Sequence, residues 1–216
     1  MAIIDTPRHQ GLRNKLAEAL KIKGITDDRV LKAIASVPRH VFMDSSFISF
    51  AYKDQAFPIG AGQTISQPYT VAFQTQLLDV QPFSKILEVG TGSGYQAAVL
   101  CEMKAKVYTI ERQRELYIKA SQLLPELGYN PSFFLGDGYK GLPTYGPFDR
   151  IIVTAGAPSV PEELLQQLVH GGKMVIPVGP GDQQTMLLIT RLTEDEFVTE
   201  KNGAFVFVPM LKGVIH

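Results

Sequence analysis

Three glycines at alternate positions, Gly90, Gly92 and Gly94, follow an apolar run ending at Val89; Glu88 lies just before them, and Glu111 closes the next apolar run. Glycine accepts positive φ and lets a backbone approach a ligand closely. A helix start offers free N–H groups, so this crossover suits a polar small molecule. A carboxylate at the position of Glu111 accepts both hydroxyls of a ribose. The chemistry is that of a nucleoside or nucleotide site. The dinucleotide fingerprint needs its third glycine where Tyr95 stands, and a phosphate-binding P-loop needs Gly-Lys-Ser/Thr where the chain has Gly94-Tyr95-Gln96. The plain structural alternative is a tight strand-to-helix turn with Glu111 favouring a helix dipole, but one glycine would suffice for that.

Other residues extend the pattern. Asp137, in Gly136-Asp137-Gly138, either caps its own turn or accepts the amino group of an adenine at the same sheet edge. Gly138 allows close approach. Glu88 either orders the glycine turn through backbone N–H groups or meets an ammonium group. Ser66 precedes a helical stretch and Pro68, so by spacing alone it is an N-cap. His9, His40, His170 and His216 are scattered outside these motifs, which gives no support to histidine-based acyl transfer. There is no Cys/His cluster with zinc-ligand spacing, and no metal is expected.

Glu-x-Gly-x-Gly-x-Gly followed by an acidic strand end resembles the first two motifs of S-adenosylmethionine-dependent methyltransferases. A longer collinear set covers most of the chain: Val37-Pro-Arg39, Gly62-Gln-Thr-Ile-Ser-Gln-Pro68, Leu87 to Ala98, Gly136 to Gly138, Phe148 to Ala157 and Gly171 to Gly179. That set resembles the protein-L-isoaspartate O-methyltransferase family, and the Thr-Ile-Ser-Gln-Pro loop is its specific mark. The resemblance implies methyl transfer from S-adenosyl-L-methionine, leaving S-adenosyl-L-homocysteine. The acceptor would be the α-carboxylate of L-isoaspartyl residues, and of some D-aspartyl residues, in damaged proteins and peptides. The ester then closes to a succinimide, which starts repair. The resemblance also assigns roles: Ser66 contacts the reacting carboxylate, Glu111 binds the ribose, Asp137 lies beside the adenine and Gln63 helps cover the cofactor. Leu211 departs from the family pattern, standing where a polar residue near the cofactor is expected, while Phe207 to Met210 matches a segment that lies across the substrate. The glycine motif alone leaves two alternatives: a methyltransferase for a small-molecule acceptor, or a cofactor-binding protein without catalysis.

These residues need elements to hold them. Leu12, Leu16, Ala19 and Leu20 recur at helical spacing before Gly24, and Thr26 to Asp28 offer caps for a second helix ended by Pro38. Residues 57–68 read as a loop leading into a helix through Val71 and Leu78. The runs 85–89, 107–110, 132–135, 151–154 and 174–178 alternate with mostly helical stretches. The expected fold is therefore α/β: a doubly wound, mostly parallel Rossmann-like sheet with ligands at its C-terminal edge. Strands at 185–192, 196–201 and 204–210, with a turn at Asn202-Gly203, predict an antiparallel edge. The organisation is one methyltransferase domain over 1–216: a helical extension and loop at 1–80, a core at 81–180 and an antiparallel tail at 181–216.

Composition narrows the setting. Lys+Arg and Asp+Glu are 21 each in 216 residues, so net charge gives no broad nucleic-acid or membrane footprint. One cysteine, Cys101, falls in an apolar helical pattern, which excludes an intramolecular disulfide and fits a reducing compartment. With no signal-type or membrane-length apolar run, a cytoplasmic location and a monomer are expected.

Overall fold

A computed structural model describes residues 5–215, so His216 lies outside the described residues. Helix α1 (Pro7–Ile22) starts on a capping box in which Thr6 accepts from the His9 N–H and the His9 side chain accepts from Thr6. It stops as predicted at Gly24, where φ is +99° and the Ile25 N–H reaches back to the Leu20 carbonyl. Helix α2 (Asp28–Ser36) is capped by Asp27, and α3 (Pro68–Leu78) begins with Pro68 in its first turn. Between α2 and α3 the structure corrects the expected loop. Strands β1 (Phe57–Gly60) and β2 (Gln63–Ile65) form an antiparallel hairpin whose turn residues Gly60, Ala61 and Gly62 all have positive φ.

Next come β3 (Lys85–Val89), α4 (Tyr95–Glu102), β4 (Lys106–Glu111), α5 (Arg114–Glu126), β5 (Ser132–Leu135), β6 (Phe148–Val153), the short α6 (Glu162–Leu165) and β7 (Leu168–Val178). Strands β8 (Gln184–Arg191) and β9 (Phe197–Phe205) complete one seven-stranded sheet, ordered β5-β4-β3-β6-β7-β8-β9. The pairs from β5 to β7 are parallel, while β7–β8 and β8–β9 are antiparallel. The predicted α/β class and its antiparallel edge are both present. Asn202-Gly203 is not a turn: β9 runs through it, and pairing jumps from Leu187↔Lys201 to Thr185↔Ala204. The pair bulges the strand, with Gly203 at φ +87°.

Each face of the sheet carries its own core. Ile86, Val107 and Val175 belong to the side packed by α1 to α5, and Leu87, Val89, Ile151 and Met174 to the other. Strand β3 is buried on both faces because it is covered on both, as a central parallel strand must be, and one of its buried side chains is the carboxyl of Glu88. The chain winds outward from β3 to β5, then returns to β6 on the other side of β3. Ligands in such sheets bind where the strand order reverses, at the C-terminal strand ends. Here those ends carry Gly90 and Thr154.

Candidate active site

A cleft opens at that reversal point, lined by the Gly90 to Ser93 turn, by Gln63 to Ser66, by Ile110 to Gln113, by Gly138 and by the tail from Val208 to Leu211. Gly90 has φ +99°, and a Cβ there would stand 2.5 Å from Thr154 Oγ1, the hydroxyl directed at the Gly90 carbonyl at 2.7 Å. Gly92 faces the cleft with only Ile59 near a built Cβ, at 3.6 Å. Gly94 serves another purpose. It does not line the cleft, and a Cβ there would collide with the buried Leu124 of α5, so its missing side chain lets α4 and α5 pack.

The Glu111 carboxylate locks the turn from the end of β4. Oε2 accepts the Gly92 N–H at 2.8 Å, and Oε1 accepts those of Arg112 and Gln113 at 2.8 and 2.9 Å. A carboxylate offers about four acceptor positions, so at least one remains for a hydroxyl in the cleft. Glu88 lies elsewhere, fully buried in β3 and outside the lining. Its Oε2 accepts from Thr109 Oγ1 at 2.5 Å, and Thr109 Oγ1 is 2.6 Å from Thr91 Oγ1, so Glu88 reaches the glycine turn through two hydroxyls. Burial pushes its pKa up to about 8, with Glu111 adding to the rise and the Thr109 bond opposing it.

Gly138 lines the cleft, but Asp137 beside it does not. Asp137 Oδ1 accepts the Tyr139 N–H at 3.0 Å and Oδ2 the Gly213 N–H at 2.8 Å, which fastens the tail to the sheet edge. Arg112 adds bonds to the Lys212 and Gly213 carbonyls, and Tyr139 OH donates to the Met210 carbonyl. The tail also pairs with Gly156 through Val208 and Met210. Leu211, 47% exposed, sits on the cleft wall, so the departure noticed in the sequence falls at the site itself.

Ser66 is half-buried and is not the cap of α3; that position belongs to Gln67, and no side chain of the two caps the helix. Among the described residues no hydrogen bond to its hydroxyl is present. Ser66 lines the cleft and also a second recess running along Tyr69, Phe73, Phe205 and Val206. The two share Thr64, Ser66, Thr154 and Val208. No charged side chain lines the second recess, and Phe73 and Phe205 meet there with ring centres 5.1 Å apart.

Of the residues singled out in the sequence, Gln63, Ser66, Gly90, Gly92, Glu111 and Gly138 converge on the cleft; Glu88, Gly94 and Asp137 support its walls from outside. Sequence reasoning missed Arg112, Gln113 and Gln96 as lining residues. The first two follow Glu111 directly, and a loop leaving the carboxylate expected to bind a ribose is the signal that could have found them. His9 and His40 lie far along the chain from these motifs, with ring centres 3.9 Å apart and planes tilted by 30°, and join Asp5 in a cluster next to Arg13. The His9 Nδ1 accepts the Thr6 N–H, which puts the ring proton of the neutral form on Nε2 and leaves no lone pair there for a metal.

Comparison with known proteins gives consistent results. Residues 11–214 match the family model described as Protein-L-isoaspartate(D-aspartate) O-methyltransferase (PCMT). The chain is 61% identical over 209 residues to a protein-L-isoaspartate O-methyltransferase of Christiangramia forsetii, covering 96% of this chain and 98% of that one. It is 49% identical over 210 residues to one from Dictyoglomus thermophilum, covering 97% and 94%. A solved Plasmodium falciparum structure of the same type, in complex with S-adenosyl-L-homocysteine, superposes with a TM-score of 0.80 at 28% identity, covering 93% of this chain and 99% of that one.

Proposed function

The chain belongs to the protein-L-isoaspartate(D-aspartate) O-methyltransferase family, and from that membership we propose how its cleft and recess divide the work. It is an S-adenosylmethionine-dependent enzyme that methylates isoaspartyl residues of damaged proteins and so starts their repair. The residues present fit the cofactor. A close-approach turn at Gly90 and Gly92, a carboxylate at Glu111 and apolar walls at Val89, Ile110 and Met210 suit a nucleoside. When bound, S-adenosylmethionine supplies a methyl group on a positively charged sulfur.

In this reading Glu111 accepts from the ribose at its remaining acceptor position, and the turn from Gly90 to Ser93 cradles the rest. Gln63 and the tail from Val208 to Leu211 cover the cleft and limit water. Gly138 lies beside the base, with Asp137 behind it. The acceptor carboxylate has an unperturbed pKa of about 4 and is already ionised at neutral pH, so no residue need remove a proton. Ser66 donates a hydrogen bond to one carboxylate oxygen and orients the other; alignment then supplies the acceleration. The substrate chain lies in the uncharged recess, held by backbone bonds and apolar contact, in keeping with acceptors of varied sequence. Some D-aspartyl residues are acceptors too.

One observation carries this division: Ser66 is common to both recesses and its hydroxyl makes no bond to the described protein. We place the whole of 1–216 in one methyltransferase unit that acts as a monomer in the cytoplasm. That compartment suits the single thiol of Cys101, whose pKa burial raises to about 12. Among the described residues no helix is long and apolar enough to cross a membrane. Methyl-labelled S-adenosylmethionine incubated with matched aspartyl and isoaspartyl peptides tests the function. Base-labile label on the isoaspartyl peptide alone is expected; equal labelling of the two, or none, would contradict it.

A further inference from the structure

We propose that Asp54 is a positioning residue for Ser66: it caps α3 from a distance and so leaves the serine hydroxyl for the acceptor carboxylate. The inference rests on the role of Ser66 proposed above. The first turn of α3 needs acceptors for its N–H groups, and Pro68 removes only its own. Neither Ser66 nor Gln67 supplies one. Asp54 does, with Oδ1 accepting the Tyr69 N–H at 2.7 Å and Oδ2 accepting Gln67 Nε2 at 3.1 Å. One carboxylate thus grips the chain on the helix side of Ser66 through both backbone and side chain. Lys23 closes the set with an ion pair at 2.6 Å.

The turn bearing Asp54 is itself anchored. The fully buried Arg39 donates from Nε to the Ala51 carbonyl at 2.9 Å and from Nη2 to that of Gln55 at 3.2 Å. Its guanidinium lies 4.9 Å from the ring centre of Tyr95, a residue of the cofactor cleft. Arg39 therefore ties the Asp54 turn to the wall of the cleft. Were Asp54 removed, the Tyr69 N–H would lack its partner, and Ser66 carries the nearest hydroxyl ahead of the helix. A bond between them would realise the cap that spacing alone suggests and turn the hydroxyl away from the junction.

The test compares Asp54→Ala, Asp54→Asn, Lys23→Ala, Ser66→Ala and the Ser66→Ala/Asp54→Ala pair. The readouts are kcat and KM for an isoaspartyl peptide and the affinity for S-adenosylhomocysteine. Asp54→Ala is expected to lower kcat/KM by at least about tenfold, because a small misplacement of an orienting group is costly. Cofactor-product affinity should change by less than about threefold, since Glu111 and the glycine turn are untouched. Asp54→Asn keeps an oxygen for the Tyr69 N–H and should restore most of the activity. Lys23→Ala removes only a half-exposed ion pair and leaves Asp54 its bonds to Tyr69 and Gln67, so it should lower kcat/KM by less than about threefold; a loss as large as that of Asp54→Ala would overturn the proposal. Adding Asp54→Ala to Ser66→Ala should cost little more, as no hydroxyl remains to misplace. Asp54→Ala within about twofold of wild type, Asp54→Asn as poor as Asp54→Ala, or a fully multiplicative double variant would overturn the proposal. Should Asp54→Ala not fold, a tenfold loss in Asp54→Asn would by itself overturn it. Full activity in Ser66→Ala would remove the role of Ser66 and this inference with it; an impaired Ser66→Ala beside an unimpaired Asp54→Ala would remove this inference alone.

Discussion

Glu88 and Glu111 stand at the ends of neighbouring strands, yet their surroundings separate them. Glu111 has three backbone N–H partners and faces the cleft, whereas Glu88 is sealed in the core with one oxygen, Oε1, unpaired. Burial of a carboxyl favours its protonated form, which is the direction of the shift at Glu88, from 4.5 to about 8. Between those values the folded chain keeps a proton that the unfolded chain has released, so this group's contribution to stability falls as pH rises from about 4.5 through 8. Glu88→Gln preserves an acceptor for Thr109 and has no proton to lose. Urea unfolding at pH 5, 6, 7 and 8 should show the wild type losing stability relative to Glu88→Gln with rising pH; parallel profiles would contradict it. From the sequence both carboxylates look like ligand residues, because a strand pattern shows that a side chain alternates but not which face a helix will cover.

At the scale of elements, the glycine motif was legible because its meaning is local: strand, turn and helix follow one another within a dozen residues. Its internal division of labour was not. Gly94 reads like its neighbours, but only the packing of α5 shows that it meets Leu124 rather than a ligand. Gly94→Ala should therefore act on stability, by about 1–3 kcal/mol as an overpacked contact, with added strain at φ +87°. Chemical denaturation checks it, and an unchanged midpoint would show that Leu124 gives way freely. The β1–β2 hairpin went unseen because its strands are four and three residues long and its turn is rich in glycine. Asn202-Gly203 misled for the opposite reason. The dipeptide is a strong turn signal, but β8 pairs with residues on both of its sides and turns it into a bulge. Asp54 had no local signal at all, since a cap supplied from fifteen residues before Tyr69 leaves no spacing rule to read.

The whole molecule combines a sheet edge that opens into the cleft with a neighbouring recess lined by no charged side chain, and the proposed function gives the first to the cofactor and the second to the acceptor chain. The sheet was legible from the alternation of apolar runs, as was the edge at which the cleft opens. The recess was not, because it is made by α3, the end of β9 and the tail, which meet only in the fold. Equal numbers of acidic and basic residues and a recess without charged lining suit an enzyme whose substrates share a damaged linkage rather than a sequence. The central claim is that Ser66 marks the junction where cofactor and acceptor meet. A crystal structure of the protein with S-adenosylhomocysteine and an isoaspartyl peptide tests it most directly. The account predicts the nucleoside against Gly90 to Ser93 with its ribose on Glu111, the peptide along Tyr69, Phe73 and Phe205, and the free carboxylate hydrogen-bonded to Ser66 Oγ. A peptide bound elsewhere, or a carboxylate turned away from Ser66, would contradict it.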